Sequence, residues 1–174
     1  MRATADPGRT FWPALFASER EDWATPPELV AGLEAEFGTF ELDPCATPAT
    51  AKAARFYTAE QDGLAQPWAP ARVFLNPPYG RVIGAWMHKA RLEAERGSLV
   101  VGLVHARTDT RWWHSDVEGH ARLLRPLRGR VRFLAAGNGN APAPFPSMII
   151  VWGPAERVPQ GAAGWVHKLN ERDT

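Results

Sequence analysis

The sequence predicts an α/β domain layered around a sheet that is parallel in its middle, and three observations carry that expectation. Strand-like runs ("ARVFL", "SLVVGLVH", "SMIIVW") alternate with segments of helical periodicity. These runs are apolar at successive positions rather than alternate ones, as strands covered on both faces require. Polar motifs stand immediately after two strands, in "LDP" and "FLNPPY", at the carboxyl ends where such sheets gather ligands. A chain of 174 residues, 45% hydrophobic and 22% charged, suits one domain with a real core.

Taken in order, residues 1–22 read as an arm packed down by Phe11, Trp12 and Phe16, residues 23–153 as the domain, and residues 154–174 as a loosely attached tail. "TPPELVAGLEAEFG" reads as a helix. Thr25 is its N-cap, Pro26 its first residue, and Glu28 closes a capping box. Leu29, Val30, Leu33 and Phe37 form its buried stripe, and Gly38 ends it. "TFELDP" is a strand stopped by Pro44, and "PATAKAARFY" a short helix. "ARVFL" leads into Asn76-Pro77-Pro78-Tyr79, where two prolines end any regular structure. Residues 82–96 form a helix with Val82, Ile83, Trp86 and Ala90 on one face. "SLVVGLVH" is the central strand, and "TDTRWWHSDVEGHA" starts a helix capped by Thr108 or Thr110. Two late strands, "GRVRFL" and "SMIIVW", flank the irregular "AAGNGNAPAPFP".

The single cysteine, Cys45, excludes an internal disulfide and fits a reducing compartment. The five histidines show no metal-ligand spacing, and no apolar run reaches membrane-spanning length, so neither a metal nor a membrane is expected. Net charge is only +1, but it is unevenly spread. Eleven acids face five bases through residue 65, whereas residues 105–132 carry seven arginines against three acids. That basic half suits a polyanion, and equally an ordinary solvated surface.

Seven blocks in order, "WATPPELV", "FELDPCAT", "EQDGLAQPW", "VFLNPPYG", "VVGLVHARTDTRWWH", "GRVRF" and "APFPSMIIVW", resemble the phage-type DNA N-6-adenine methyltransferases. They span roughly residues 23 to 152. The resemblance implies a Rossmann-like methyltransferase fold, S-adenosylmethionine as methyl donor, double-stranded DNA as partner, and the cytoplasm of a bacterial or phage-infected cell. The oligomeric state is not legible in the sequence. In this class the Asn-Pro-Pro-Tyr motif serves a planar, conjugated NH2. By resemblance the Asn76 side-chain oxygen and the Pro77 carbonyl accept both its N–H bonds, Pro78 holds the turn, and Tyr79 stacks a base taken out of the duplex.

The same resemblance assigns the donor's ammonium to Asp43, flanked by Pro44 and Cys45, and its carboxylate to Thr25, flanked by Trp23 and Pro26, at a helix N-terminus. Asp62, fourteen residues before Asn76, accepts from the donor's adenine amine, with Gly63 and Leu64 beside the ring. Each has a plainer reading: helix capping for Thr25 and Asp43, an ordinary turn for Asp62-Gly63. One departure stands out. "DPCATPATA" has no glycine, and a spacing of nineteen positions from Asp43 to Asp62 leaves little room for a helix, a strand and a second helix. The sheet is therefore expected to be abbreviated around its second strand, and the ribose partner stays open, with Glu60 a candidate. Arg107, Arg111, Trp112 and Trp113 suit phosphate contact and base stacking, although the tryptophans equally suit helix packing. Arg128 and Arg130, with Arg132, alternate along a predicted strand and suit the DNA backbone. Two readings compete with DNA adenine methylation: the same chemistry on RNA adenine, cytosine N4 or protein glutamine, and a non-catalytic DNA- or donor-binding relative.

Overall fold

The apolar runs assemble into one seven-stranded sheet in a computed structural model that describes residues 24–134, 142–162 and 165–166. Its strands are β1 (Leu42–Asp43), β2 (Arg55–Phe56), β3 (Arg72–Leu75), β4 (Leu99–His105), β5 (Leu123–Pro126), β6 (Ser147–Trp152) and β7 (Trp165–Val166), in the order β2-β1-β3-β4-β6-β5-β7. From β2 to β4 every neighbour is parallel, with Leu75 opposite Gly102. From β4 to β7 every neighbour is antiparallel, with His105 opposite Ser147. The expectation of a mostly parallel sheet thus holds for one half. The other half needs no crossover helix, because antiparallel strands can be joined without one.

Both faces of the sheet are covered. Val30, Leu33 and Phe37 of helix α1 (Pro27–Phe37) pack on Phe74, Val101, Leu103, Ile149 and Val151. On the opposite face, Trp86, Met87 and Ala90 of α2 (Ile83–Glu95) and Trp112 of α3 (Arg111–Asp116) pack on Val100, Val104, Ile150 and Trp152. Neighbouring residues of β4 and β6 therefore face opposite layers, which explains their uninterrupted apolar sequence. Glu36 reaches from α1 to Arg125 of β5 through two hydrogen bonds of 2.6 and 2.8 Å.

Five local expectations change. Thr25 is not an N-cap: Pro26 holds that place, Pro27 opens the helix, and no side chain caps it. With prolines at 26 and 27, a cap at Thr25 would lose the N–H two residues on that it would serve, and exposed Glu28 closes no box. "PATAKAARFY" is not a helix. The Thr50 hydroxyl takes the Thr47 N–H, the Asp43 carboxylate takes the Lys52 N–H, and the segment ends in the two-residue edge strand β2. "GRVRFL" does not join the sheet; it makes only bridges, Ala24 to Leu134 and Arg132 to Pro142. The strand is "LLRP" instead, concealed in the sequence by its charge and its proline. Finally, part of the tail is docked: β7 extends the sheet edge, and the Arg157 guanidinium donates to the Pro70 and Gly97 carbonyls. The arm, Trp23, residues 135–141 of the glycine-proline loop and residues 163–164 and 167–174 of the tail lie outside the described residues.

Candidate functional site

Strand ends meet where the sequence placed its polar motifs. A cavity of about 530 Å³ is lined by Thr25, Asp43 at the tip of β1, Cys45 to Pro48 with Lys52, Thr58 to Glu60, and Asn76 to Tyr79 beyond β3. Phe74, Phe133 and Phe145 supply apolar wall. The volume lies in the range of small-molecule sites, and its few polar groups converge from separate segments.

Asp43 is the electrostatic centre. It is 4% exposed and accepts the Lys52 N–H at 3.1 Å and, more weakly, the Cys45 N–H at 3.4 Å. Burial pushes its carboxyl up to about 6, against the pull of those N–H groups and of the Lys52 charge. No side-chain cation is hydrogen-bonded to it among the described residues, so it is a desolvated charge facing a cavity. That chemistry fits an ammonium. Cys45 beside it donates its thiol to the Asn76 carbonyl at 3.3 Å, and burial pushes that thiol well above its usual range.

Asn76 is held at both ends of its carboxamide. Its Nδ2 donates to the Thr25 hydroxyl at 3.1 Å, and its Oδ1 accepts from the Tyr79 hydroxyl at 3.1 Å. An amide oxygen carries two lone pairs, so Oδ1 keeps capacity for a second donor. The Pro77 carbonyl receives no hydrogen bond among the described residues. The Tyr79 hydroxyl also lies 3.4 Å from the Leu103 carbonyl, and burial and the nearby Cys45 keep it protonated. Its ring stacks on His105 at 5.1 Å and meets Phe145 edge-on at 5.0 Å.

Tyr79 and Phe145 also border a second, more open groove of about 740 Å³. Arg81, Arg107 and Arg111 line it, all exposed, with His105, Trp112 and Asp116. Trp112 is buried and stacks on His105 at 5.8 Å; Trp113 packs against the core and does not line the groove. Burial and Arg107 lower the His105 pKa, which favours the neutral ring in this stack. Arg128 and Arg130 are exposed but lie outside the groove lining.

Of the residues assigned to the donor, Thr25, Asp43 and Cys45 share the cavity with Asn76, Pro77, Pro78 and Tyr79. Pro26, Pro44, Asp62, Gly63 and Leu64 are not among its lining residues. Asp62 instead folds back on itself. At φ 50° its Oδ1 accepts the Leu64 N–H, and a side chain at Gly63 would collide with the Pro44 carbonyl at 1.8 Å. This segment braces the floor: Trp68 Nε1 donates to the Gly63 carbonyl, and Glu93 takes the Trp68 and Ala69 N–H groups at 2.9 Å each. Sequence reasoning gave no role to Lys52, Phe145 or His105. Phe145 stood in a quoted block, and its flanking prolines were the available signal of a fixed position.

No helix among the described residues is long and apolar enough to cross a membrane. Residues 14–172 match the family model for DNA N-6-adenine-methyltransferase (Dam). A DNA N-6-adenine-methyltransferase of Escherichia phage T1 is 30% identical over 106 residues, 60% of this chain and 44% of the phage protein. A protein of Escherichia coli (strain K12) named "Putative methyltransferase YfdM" is 37% identical over 65 residues, 34% of this chain and 71% of that one. The matched segment thus spans less than half the length of the phage relative. The chain belongs to the DNA N-6-adenine-methyltransferase family.

Proposed function

We propose that this chain transfers a methyl group from S-adenosylmethionine to the N6 amine of adenine in double-stranded DNA, on a base taken out of the duplex. One observation carries the reading: a single cavity holds both a buried carboxylate with no hydrogen-bonded cation among the described residues, Asp43, and a carboxamide at a strand end, Asn76. Asp43 would take the donor's ammonium, Thr25 its carboxylate, and Glu60 is the available partner for its ribose. Pro26, Pro44, Asp62, Gly63 and Leu64 act at most by shaping the segments around these groups, and Trp23, assigned by resemblance, lies outside the described residues. When bound, the donor supplies an electrophilic methyl carbon on a sulfonium.

The remaining chemistry belongs to the chain. An adenine amine is a poor nucleophile because its lone pair is delocalised into the ring. Asn76 Oδ1 and the Pro77 carbonyl accept its two N–H bonds, which favours a tetrahedral nitrogen and aims the lone pair outward. Positioning supplies the acceleration, with no covalent intermediate. As the N–C bond forms, the methyl–sulfur bond breaks with its electron pair left on sulfur as a neutral thioether. The amine's proton leaves to solvent, since neither carbonyl is basic enough to keep it. Pro77 and Pro78 hold the turn, and the Tyr79 ring borders both the cavity and the groove. Arg107 and Arg111, beside Trp112 and Trp113, would guide the strand, and Arg128 and Arg130 its backbone farther out. The fold is read as an abbreviated Rossmann-like methyltransferase sheet, working in the cytoplasm.

The test is label transfer from S-adenosylmethionine to duplex DNA, RNA and a glutamine peptide offered in parallel, with the methylated base identified by mass spectrometry. N6-methyladenine in DNA is expected. Label in the peptide and none in DNA overturns the reading. Asn76→Ala should lower DNA methylation by about a hundredfold or more while S-adenosylmethionine binds within about threefold of wild type.

A further inference from the structure

We propose that Thr25 is a positioning residue for Asn76: its hydroxyl fixes which end of the carboxamide meets the substrate amine. The proposal rests on the reading of Asn76 given above. The terminal torsion of an asparagine is soft and roughly two-fold, yet its two ends are chemical opposites. With Oδ1 forward it accepts an N–H; with Nδ2 forward it presents a donor to a donor and grips nothing. Something must choose between them.

Tyr79 alone does not. Its hydroxyl donates to Asn76 Oδ1 at 3.1 Å, but the Leu103 carbonyl at 3.4 Å offers that proton another acceptor. Were the amide turned over, Tyr79 could accept from Nδ2 and donate to Leu103. Thr25 differs. Its only described side-chain hydrogen bond is the one it accepts from Asn76 Nδ2 at 3.1 Å, so its own proton has no protein acceptor among the described residues. Thr25 also lines the cavity, where an anionic ligand group would take that proton and leave the oxygen only an acceptor's role. The residue is 2% exposed and its backbone is pinned. Ala24 before it exchanges two 2.9 Å hydrogen bonds with Leu134, and two prolines follow. It reaches Asn76 from 51 residues away, as a deliberate tertiary contact.

The test compares Thr25→Val, which keeps the shape and removes the hydroxyl, with Thr25→Ser, which keeps the hydroxyl. Single-turnover methylation of DNA is measured beside calorimetric binding of S-adenosylmethionine. The side-chain amide protons of Asn76 are followed by NMR in the free protein. Thr25→Val should weaken donor binding, since it removes the hydroxyl that meets the donor's carboxylate. At saturating S-adenosylmethionine it should still lower the single-turnover rate about thirtyfold, and Thr25→Ser should recover that rate to within about threefold. In wild type and Thr25→Ser one Asn76 amide proton should exchange slowly. In Thr25→Val that proton should exchange faster, with the Tyr79 hydroxyl the one partner left to it among the described residues. An unchanged rate at saturating donor, or no rescue by serine, overturns the proposal. So does fast exchange of both protons in wild type. If wild type methylates no DNA, the functional reading falls instead, and the exchange measurement still decides whether the Thr25–Asn76 bond holds.

Discussion

Three carboxylates are buried among the described residues; Asp116 is held by Ser115, His88 and Arg91, and the other two, Glu93 and Asp43, are treated in opposite ways. Glu93 on α2 is 1% exposed and surrounded by donors: the Trp68 and Ala69 N–H groups on one oxygen, Lys89 and Arg96 at 2.8 Å on the other. Burial alone would raise its pKa. The Lys89 hydrogen bond, the two N–H groups and the Lys89 charge outweigh that and hold the carboxyl at about 2. Asp43 is nearly as buried, yet it has two N–H partners and no cation bonded to it, and burial wins, at about 6. The difference separates framework from site. Where a buried charge is compensated by the chain, it holds the chain together; where it is left short beside a cavity, a ligand must complete it.

The sign of each contribution to stability follows. The lowered Glu93 pKa stabilises the fold above its unfolded value near 4.5, and that stability is lost as pH falls toward 2. The raised Asp43 pKa does the reverse: whatever favours its protonated form is present below 3.8 and lost as pH rises through 6. At neutral pH Glu93 supports the native state and Asp43 burdens it.

Exchanging each carboxylate for its amide separates the two roles. The largest effect is expected at Glu93→Gln, which leaves Lys89 over a neutral group and weakens the clamp on Trp68. Chemical denaturation at pH 7 should show a loss of about 3 kcal/mol, with S-adenosylmethionine affinity at low temperature within about twofold of wild type. A loss below about 1 kcal/mol would mean that the Trp68 loop is held by packing alone. Next comes Asp43→Asn, which should weaken donor binding about a hundredfold, or about 2.7 kcal/mol, by removing the ammonium's counter-charge. Calorimetry with no DNA present measures it. Unchanged affinity would place the donor's ammonium elsewhere and dissolve the contrast between the two groups.

How much of this was legible in the sequence depended on how local the cause was. The strands "ARVFL", "SLVVGLVH" and "SMIIVW" could be read because burial on both faces writes itself into consecutive residues. The helix at 27–37 could be read too, but its first turn misled: a threonine before two prolines looks like a cap, and only the fold shows its hydroxyl spent on a residue 51 positions away. "LLRP" was missed because Arg125 answers to Glu36 on another element, a pairing no local pattern announces. At the site, Asp43 and Asn76 were legible as polar residues at strand ends. Their shared cavity was not, nor was the separation of Asp62 from it, which hangs on the close approach of Gly63 to Pro44.

The smallest effect is the sharpest probe of the comparison, because it acts on Asp43 without altering a residue. With its carboxyl near 6, Asp43 is about nine-tenths ionised at pH 7 and about one-tenth at pH 5. A cationic ligand group binds the ionised form, and an α-ammonium stays protonated across that interval. Donor affinity in wild type should therefore fall about tenfold from pH 7 to pH 5, about 1.4 kcal/mol. The neighbouring Cys45 thiol, pushed upward by burial, does not titrate in this window. Glu93 stays ionised throughout, so Glu93→Gln should show the same slope as wild type, while Asp43→Asn should show none. A flat wild-type profile, or the same slope surviving in Asp43→Asn, would mean that the cavity's charge is already balanced and that the two carboxylates do not differ in the way their surroundings imply.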